Sequence, residues 1–336
     1  MTIFTRREFG TISGLAMLSS LKLGVLTDAQ ASAASPSATP FVDPELMRAL
    51  QAFQQNPAIA NASPPEWVER KIPGPAGAPD VRVYILNGGK ANGTARPAIL
   101  HMHGGGYTMG SALMSMPQLS LIGAALDCMI MTVDYRLAPG TPFPGSLEDN
   151  YAALKWLHKN AAALGADSSR IAVMGESAGG GHAAMLAIAA RDRGEIPILF
   201  QALIYPMLDD RTGTTRQVPS HIGSLVWTAE QNRAGWTAFL GMPAGGKEVP
   251  PGSVPSRIEN LGGLPQTFIV VGAIDLFLEE DIVYAQRLLE IGVPVELVVI
   301  PGAFHGFDFI APQAAIAKRL QVAAMQALRR AFERAA

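Results

Sequence analysis

The chain has 336 residues, 49% of them hydrophobic and 16% charged, which is enough for a deep core in one large α/β domain or two smaller ones. Its formal net charge of −2 gives no electrostatic case for binding nucleic acid or an acidic membrane surface. A disulfide within the chain is excluded because Cys128 is the one cysteine, and its apolar surroundings in sequence read as a buried thiol.

Residues 1–31 have the layout of a twin-arginine signal peptide. Arg6-Arg7 precedes an uncharged, moderately apolar stretch over residues 10–21, and small-residue sites follow at Ala29-Gln30-Ala31 and Ala31-Ser32-Ala33. That stretch is too short to span a bilayer, so export to the periplasm or medium is expected rather than stable membrane insertion. Residues 32–66 begin as a Ser/Ala/Pro-rich linker and then carry helical periodicity at Leu46, Ala49, Leu50 and Phe53.

Strand patterns follow at 67–72, 81–86, 98–102, 129–133, 171–174, 200–205, 267–271 and 296–300, with helical patterns in most of the later gaps. Such alternation predicts an α/β domain over 67–336, in which a mostly parallel eight-stranded sheet with an antiparallel start is flanked by helices. Ser146 with Asp149 is read as opening the helix that passes Tyr151, Leu154 and Leu157 and stops at Gly165. Between about 207 and 255 there is too much chain for a simple connection, and long insertions in compact domains are usually functional. Thr228 with Gln231 reads as a capping box and Gly241 as a stop, bounding a helix that bears Trp236, Phe239 and Leu240.

Chemistry concentrates in a few places. Gly175-Glu176-Ser177-Ala178-Gly179-Gly180 runs from an apolar strand into an Ala-rich helix, the form of a nucleophile elbow, where a sharp turn holds a serine hydroxyl out for activation. His103-Gly104-Gly105-Gly106-Tyr107, directly after a strand, has the form of an oxyanion loop. A phosphate loop is disfavoured because no Lys-Ser/Thr follows. Asp275 and His305 each fall just past a predicted strand, where parallel α/β sheets carry their sites, and Ser177, Asp275, His305 is the chain order of an α/β-hydrolase triad. Glu279 and Asp281 are rival acids, but they fit the first turn of the next helix, where the dipole favours them. His182 reads as a packed residue on the helix after the elbow. His101, His158 and His221 lack metal-ligand spacing, so neither metal nor organic cofactor is expected.

With these motifs in order, together with Asp134-Tyr135-Arg136-Leu137-Ala138-Pro139, Pro142-Phe143-Pro144 and His305-Gly306-Phe307, the chain from about residue 65 resembles the hormone-sensitive-lipase-like esterases, bacterial family IV. Glu176 stands where the commoner subgroups carry Asp or Thr, and Asp275-Leu276-Phe277 replaces the frequent Asp-Pro-Leu. The resemblance implies an α/β-hydrolase fold with a helical cap built from the N-terminal segment and the 207–255 insertion. It implies a Ser177-His305-Asp275 triad, an oxyanion hole from the N–H groups of Gly105, Gly106 and Ala178, and His103, Asp134 and Arg136 as supports of that loop. Residues 41–53 and 225–240 would face substrate, making Trp227 and Trp236 candidates for the acyl pocket. The expected activity is a serine carboxylesterase on short- to medium-chain acyl esters. An amidase, carbamate hydrolase or deacetylase with the same triad is the alternative, and a non-catalytic receptor of the same fold the rival from another class. The expected partner is a small-molecule ester; a homodimer is left open.

Overall fold

The computed structural model describes residues 41–55, 66–88 and 95–335. The expected signal peptide and the Ser/Ala/Pro-rich linker lie outside the described residues. Eight strands form one sheet: β1 (Trp67–Ile72), β2 (Val81–Leu86), β3 (Arg96–Met102), β4 (Met129–Asp134), β5 (Ala166–Glu176), β6 (Phe200–Ile204), β7 (Gln266–Gly272) and β8 (Val295–Ile300). Their order across the sheet is β1-β2-β4-β3-β5-β6-β7-β8. β1 and β2 pair antiparallel, as do β2 and β4, and every later pairing is parallel.

The helices are α1 (Pro44–Gln55), α2 (Met116–Leu126), α3 (Gly145–Asn160), α4 (Ala178–Arg193), α5 (Ala229–Leu240), α6 (Leu278–Glu290), the single turn α7 (Phe307–Ile310) and α8 (Ala315–Arg334). Alternate strand residues face opposite cores. Leu100, Met131, Val173, Leu203 and Ile269 pack with α3, α4 and α6 on one face, whereas Ile99, Ile130, Ala172, Ile204 and Phe268 pack with α1, α2 and α8 on the other. Since both faces are covered, the central strands read as unbroken apolar runs. Cys128 is buried in the second core, and burial pushes its thiol up to about 12.

Two local expectations need correction. β5 starts at Ala166, well before the apolar run at Ile171, because an irregular stretch precedes it in which Asp167 Oδ1 accepts from the Ser169 N–H and hydroxyl and Oδ2 accepts from Arg170 Nε. α3 begins at Gly145 with no side-chain cap. Asp149 instead accepts the Arg136 backbone N–H at 3.0 Å and its guanidinium at 2.7–3.1 Å, because a buried carboxylate gains more from a charged fork than from a neutral N–H. Arg136 therefore ties the end of β4 to α3 and does not brace the glycine loop.

The long insertion between β6 and β7 carries α5, opened by the reciprocal Thr228–Gln231 capping box and closed by Gly241 in the left-handed conformation. Its roots are fixed by charge. Asp210, fully buried, accepts from Arg257 Nε at 2.7 Å and Nη2 at 2.8 Å, and Asp209 pairs with Arg211 and Arg216. Among the described residues no helix is long and apolar enough to cross a membrane.

Leu100 is enclosed at the middle of the sheet. Leu100→Ala is expected to lower unfolding free energy by about 2–5 kcal/mol, read from urea denaturation monitored by circular dichroism.

Candidate active site

The carboxyl ends of β3, β5, β7 and β8 bring the sequence-predicted groups together. Ser177 joins β5 to α4 with φ 57° and ψ −121°, a conformation costly for a residue with a Cβ. Its backbone is held on both sides: its N–H donates to Ile204 O at 2.9 Å, and its carbonyl accepts from Gly181 at 3.0 Å and Met207 at 2.9 Å. The flanking glycines are required sterically. A Cβ on Gly175 would lie 2.3 Å from the Gly179 carbonyl group, and one on Gly179 would lie 2.1 Å from Met102 O. Both obstacles are backbone, so neither can give way.

His305 follows β8 and Asp275 follows β7. His305 Nε2 lies 2.8 Å from Ser177 Oγ, and Nδ1 lies 2.9 Å from Asp275 Oδ2. An ionised carboxylate only accepts, so Nδ1 carries the proton and Nε2 is left to accept from the serine hydroxyl. Asp275 Oδ1 accepts the Phe277 N–H at 3.0 Å, which fixes the acid's rotamer. Asp275 has no exposed surface, whereas Ser177 and His305 keep 7% and 6%, so the carboxylate is sealed while the hydroxyl and the imidazole can be reached. Glu279 and Asp281 sit in the first turn of α6, and neither bonds to His305. Tyr205 and Phe277 stand edge-on to the imidazole with ring centroids at 4.9 and 5.0 Å.

The glycine loop after β3 passes over the nucleophile, where a Cβ on Gly104 would come 3.0 Å from Glu176 O and 3.5 Å from Ser177 Cβ. Gly105 at φ 129° and Gly106 at φ 56° turn the chain. Among the described residues neither glycine's N–H has a hydrogen-bond acceptor, and Ala178 opens α4, where the first-turn N–H groups lack intrahelical partners. The Gly105, Gly106 and Ala178 amides are thus left without protein acceptors beside Ser177. His103 holds the loop from below: its Nδ1–H donates to Gly104 O at 2.8 Å, its carbonyl accepts from Tyr135 OH at 2.6 Å, and Tyr135 stacks on its ring. Asp134 supports the far end of the loop, where its Oδ1 accepts the Ala112 N–H at 3.3 Å.

The two tryptophans part company. Trp227 reaches the site, its ring 6.2 Å from His305 and against Gly106. Trp236 departs from expectation: it is fully enclosed, edge-on to Tyr107 and Phe239, and packs α5 onto the glycine loop without presenting surface to a pocket. α1 docks beside the histidine loop, through Asp43 N–H to Gly302 O at 3.0 Å and Phe53 against Phe309.

Sequence reasoning passed over a buried link beneath the elbow. His101 Nε2 meets the Glu176 carboxylate at 3.0 and 3.1 Å, while Nδ1 meets Thr132 Oγ1 at 2.8 Å, which laces β4, β3 and β5 together just ahead of Ser177. The signal was a histidine and an acid at the ends of two strands, legible only once their parallel register is known. Similarly, Tyr205 OH donates to buried Asp308 at 2.7 Å, tying the ring behind His305 to the turn after it. Among the described residues no group of three or more His, Cys, Asp or Glu could hold a metal ion.

The fold and this arrangement are those of the α/β-hydrolase class, and the comparisons agree on the class. Residues 99–309 match a family described as alpha/beta hydrolase fold. The carboxylesterase NlhH of Mycobacterium tuberculosis is 32% identical over 319 residues, covering 86% of this chain and 97% of that protein. Esterase LipI of the same organism is 36% identical over 243 residues, 71% of this chain and 74% of its own length. A solved structure titled bacterial heroin esterase superposes with a TM-score of 0.78 at 35% identity, covering 88% of this chain and 99% of that one. The chain belongs to the hormone-sensitive-lipase-like, family IV carboxylesterases of the α/β-hydrolase fold.

Beside the loop, His182 is buried among Tyr107, Tyr135 and Phe239, and among the described residues neither of its ring nitrogens has a partner. Burial pushes its pKa down from 6.5 to about 3, and burial likewise pushes His103 down to about 4, so both rings fold neutral. The unfolded chain binds protons at these positions below about 6.5 and the folded chain does not, so stability falls as pH drops from there through the folded values. His182→Leu is expected to flatten the fall of the urea midpoint between pH 7 and pH 4.5; an unchanged slope would assign that fall to other groups.

Proposed function

We propose that this enzyme hydrolyses short- to medium-chain acyl esters through a covalent acyl-enzyme on Ser177. One observation carries the assignment: the 2.8 and 2.9 Å hydrogen bonds from Ser177 through His305 to Asp275, beside unengaged amides on the glycine loop. His305 Nε2 accepts the Ser177 proton as Oγ attacks the ester carbonyl, then delivers it to the departing alkoxide. Asp275 holds the tautomer and stabilises the imidazolium. The Gly105, Gly106 and Ala178 amides receive the oxyanion, each donor worth about 2.7–4 kcal/mol in comparable sites. Water then repeats the sequence on the acyl-enzyme and frees the acid. No metal or organic cofactor enters any step.

An amidase, carbamate hydrolase or deacetylase would use the same groups. The ester reading is preferred because relatives covering 86% and 71% of this chain are named carboxylesterase and esterase. Ser177→Ala is expected to fold and to lose nearly all turnover of p-nitrophenyl acetate and all labelling by a serine-directed phosphonate. Asp275→Asn should lower kcat by about 10⁴-fold, the size seen when a triad acid loses its charge, whereas Glu279→Gln should change it little. A crippled Glu279 variant beside an active Asp275 variant would reassign the acid.

Chain-length preference is attributed to the cap. Its apolar side chains can bury an acyl chain only to a limited depth, and each methylene that fits contributes about 0.8 kcal/mol or less. Across p-nitrophenyl acetate, butyrate, octanoate and palmitate, activity should rise over a few carbons and then fall; efficient palmitate hydrolysis would overturn the short-chain assignment. Export by the twin-arginine route is proposed from Arg6-Arg7 and the small-residue sites behind them. Amino-terminal sequencing of enzyme from its host should find a start just after Ala31 or Ala33, and an intact amino terminus on active cytoplasmic enzyme would refute it.

A further inference from the structure

Trp227 is delivered to the site by an unusual turn. Its backbone N–H donates to Leu225 O at 2.8 Å across Val226, whose φ is 66°. This three-residue turn with a positive central φ is the rare, strained form of the γ-turn, and here the central residue is β-branched, which raises the cost further. Strain of this kind persists only where the surroundings over-determine it. Here they do. Gly223 N–H donates to Ile274 O at 3.0 Å, and Gly223 presses so closely on Leu276, next to the triad acid, that a Cβ there would come 2.6 Å from Leu276 Cδ1. On the other side, the indole N–H donates to Asn232 Oδ1 at 3.3 Å, while Asn232 Nδ2 donates to Thr212 O at 2.8 Å. The ring is therefore tied to α5 through Asn232, and the segment that delivers it is anchored on the loop of Asp275.

What is held has a defined position relative to the reacting atoms. A Cβ on Gly106 would lie 2.3 Å from Trp227 Cη2, so the six-membered ring is in contact with the glycine whose amide serves the oxyanion. The same ring faces His305 at 6.2 Å between centroids, tilted by 39°. In the tetrahedral intermediate on Ser177, the oxyanion points to the glycine loop, the leaving oxygen points to His305 Nε2, and the acyl substituent takes the remaining direction. A ring touching Gly106 and facing His305 spans the sector between oxyanion and leaving oxygen. It meets whatever the leaving oxygen carries.

We propose that Trp227, clamped by the Leu225–Trp227 turn and by Asn232, is the specificity-determining wall for the alcohol moiety of the ester, and that it selects for small or flat alcohols. The acyl chain lies on the other side of the intermediate and does not meet this ring. On this proposal Trp227 lines the substrate site on its alcohol side rather than the acyl side expected from the sequence.

The proposal rests on the esterase reading, and two ester series separate them. One fixes the acyl group as acetate and enlarges the alcohol through ethyl, isopropyl and tert-butyl; the other fixes p-nitrophenol and lengthens the acyl group from acetate to octanoate. Failure of the purified wild type to turn over either series would overturn the esterase reading itself. With wild type active, Trp227→Ala should raise kcat/KM for tert-butyl relative to ethyl acetate by about tenfold or more, with the acyl-length profile unmoved. Trp227→Phe keeps an aromatic filling but loses the indole's reach to Gly106, and should give a smaller shift in the same direction. Movement of the acyl-length optimum without the alcohol ratio would put the ring on the acyl side and overturn the proposal. Unchanged ratios in both variants, with only a lower Tm, would overturn it too, as a packing role.

Discussion

The rest of the site depends on a close approach of backbone to backbone: α4 begins so near β3 that Gly179 rests against Met102 O and Gly175 against Gly179. Only there can the chain leave β5 with Ser177 at φ 57° and its hydroxyl directed at His305. That approach also sets the distance between the nucleophile and the glycine loop, because β3 carries the loop directly past the elbow. The positions of Ser177 and of the glycine loop are thus two consequences of one packing contact. The strained serine is paid for by bonds that hold its amide and carbonyl, and by a helix buried along nearly all of its Ala-rich length.

Around this centre the protein uses neutral and charged polar groups differently. Charged pairs fix the frame: Arg136 with Asp149 joins β4 to α3, and Arg257 with Asp210 closes the insertion. Buried groups without a charge partner stay neutral. His103 and His182 give up their protons to burial, and burial together with the neighbouring Asp209 pushes Glu280 well above the usual carboxylate range while its Oε1 accepts the Leu208 and Asp209 amides. Among the described residues, only the Asp275–His305 pair combines a sealed carboxylate with an imidazole that can be reached. That asymmetry is what the proposed proton-transfer relay needs, since an imidazolium formed there would find its counter-charge already in place.

Most of the sheet was legible because its period is strong. Apolar runs ending in Gly, Asp or His marked β3, β4 and β7 to within a few residues, and the capping box at Thr228 and the stop at Gly241 bounded α5 from local chemistry alone. Ser177, Asp275 and His305 came into view because strand-end position is a one-dimensional property. Relations across strands were not legible. The His101–Glu176 link needs the parallel register of β3 and β5, and the diversion of Asp149 from capping to Arg136 needs the packing of α3 against β4. The two tryptophans looked equivalent on an apolar insertion, yet one is held beside His305 by a turn with no side-chain signature and the other fills the space behind Tyr107.

The clamp between Asp210 and Arg257 joins positions 47 residues apart and closes the insertion on the body of the enzyme whatever lies between them. The entropy of closing a loop grows only with the logarithm of its length, about 0.6 kcal/mol for each doubling. An insertion closed in this way behaves as an exchangeable cassette: its contents can lengthen, shorten or be replaced at little thermodynamic cost while the strands that carry the relay keep their register. On the proposed reading, catalysis and substrate choice would then be inherited on separable pieces of chain, so that new selectivities arise by changing one piece while the other stays fixed.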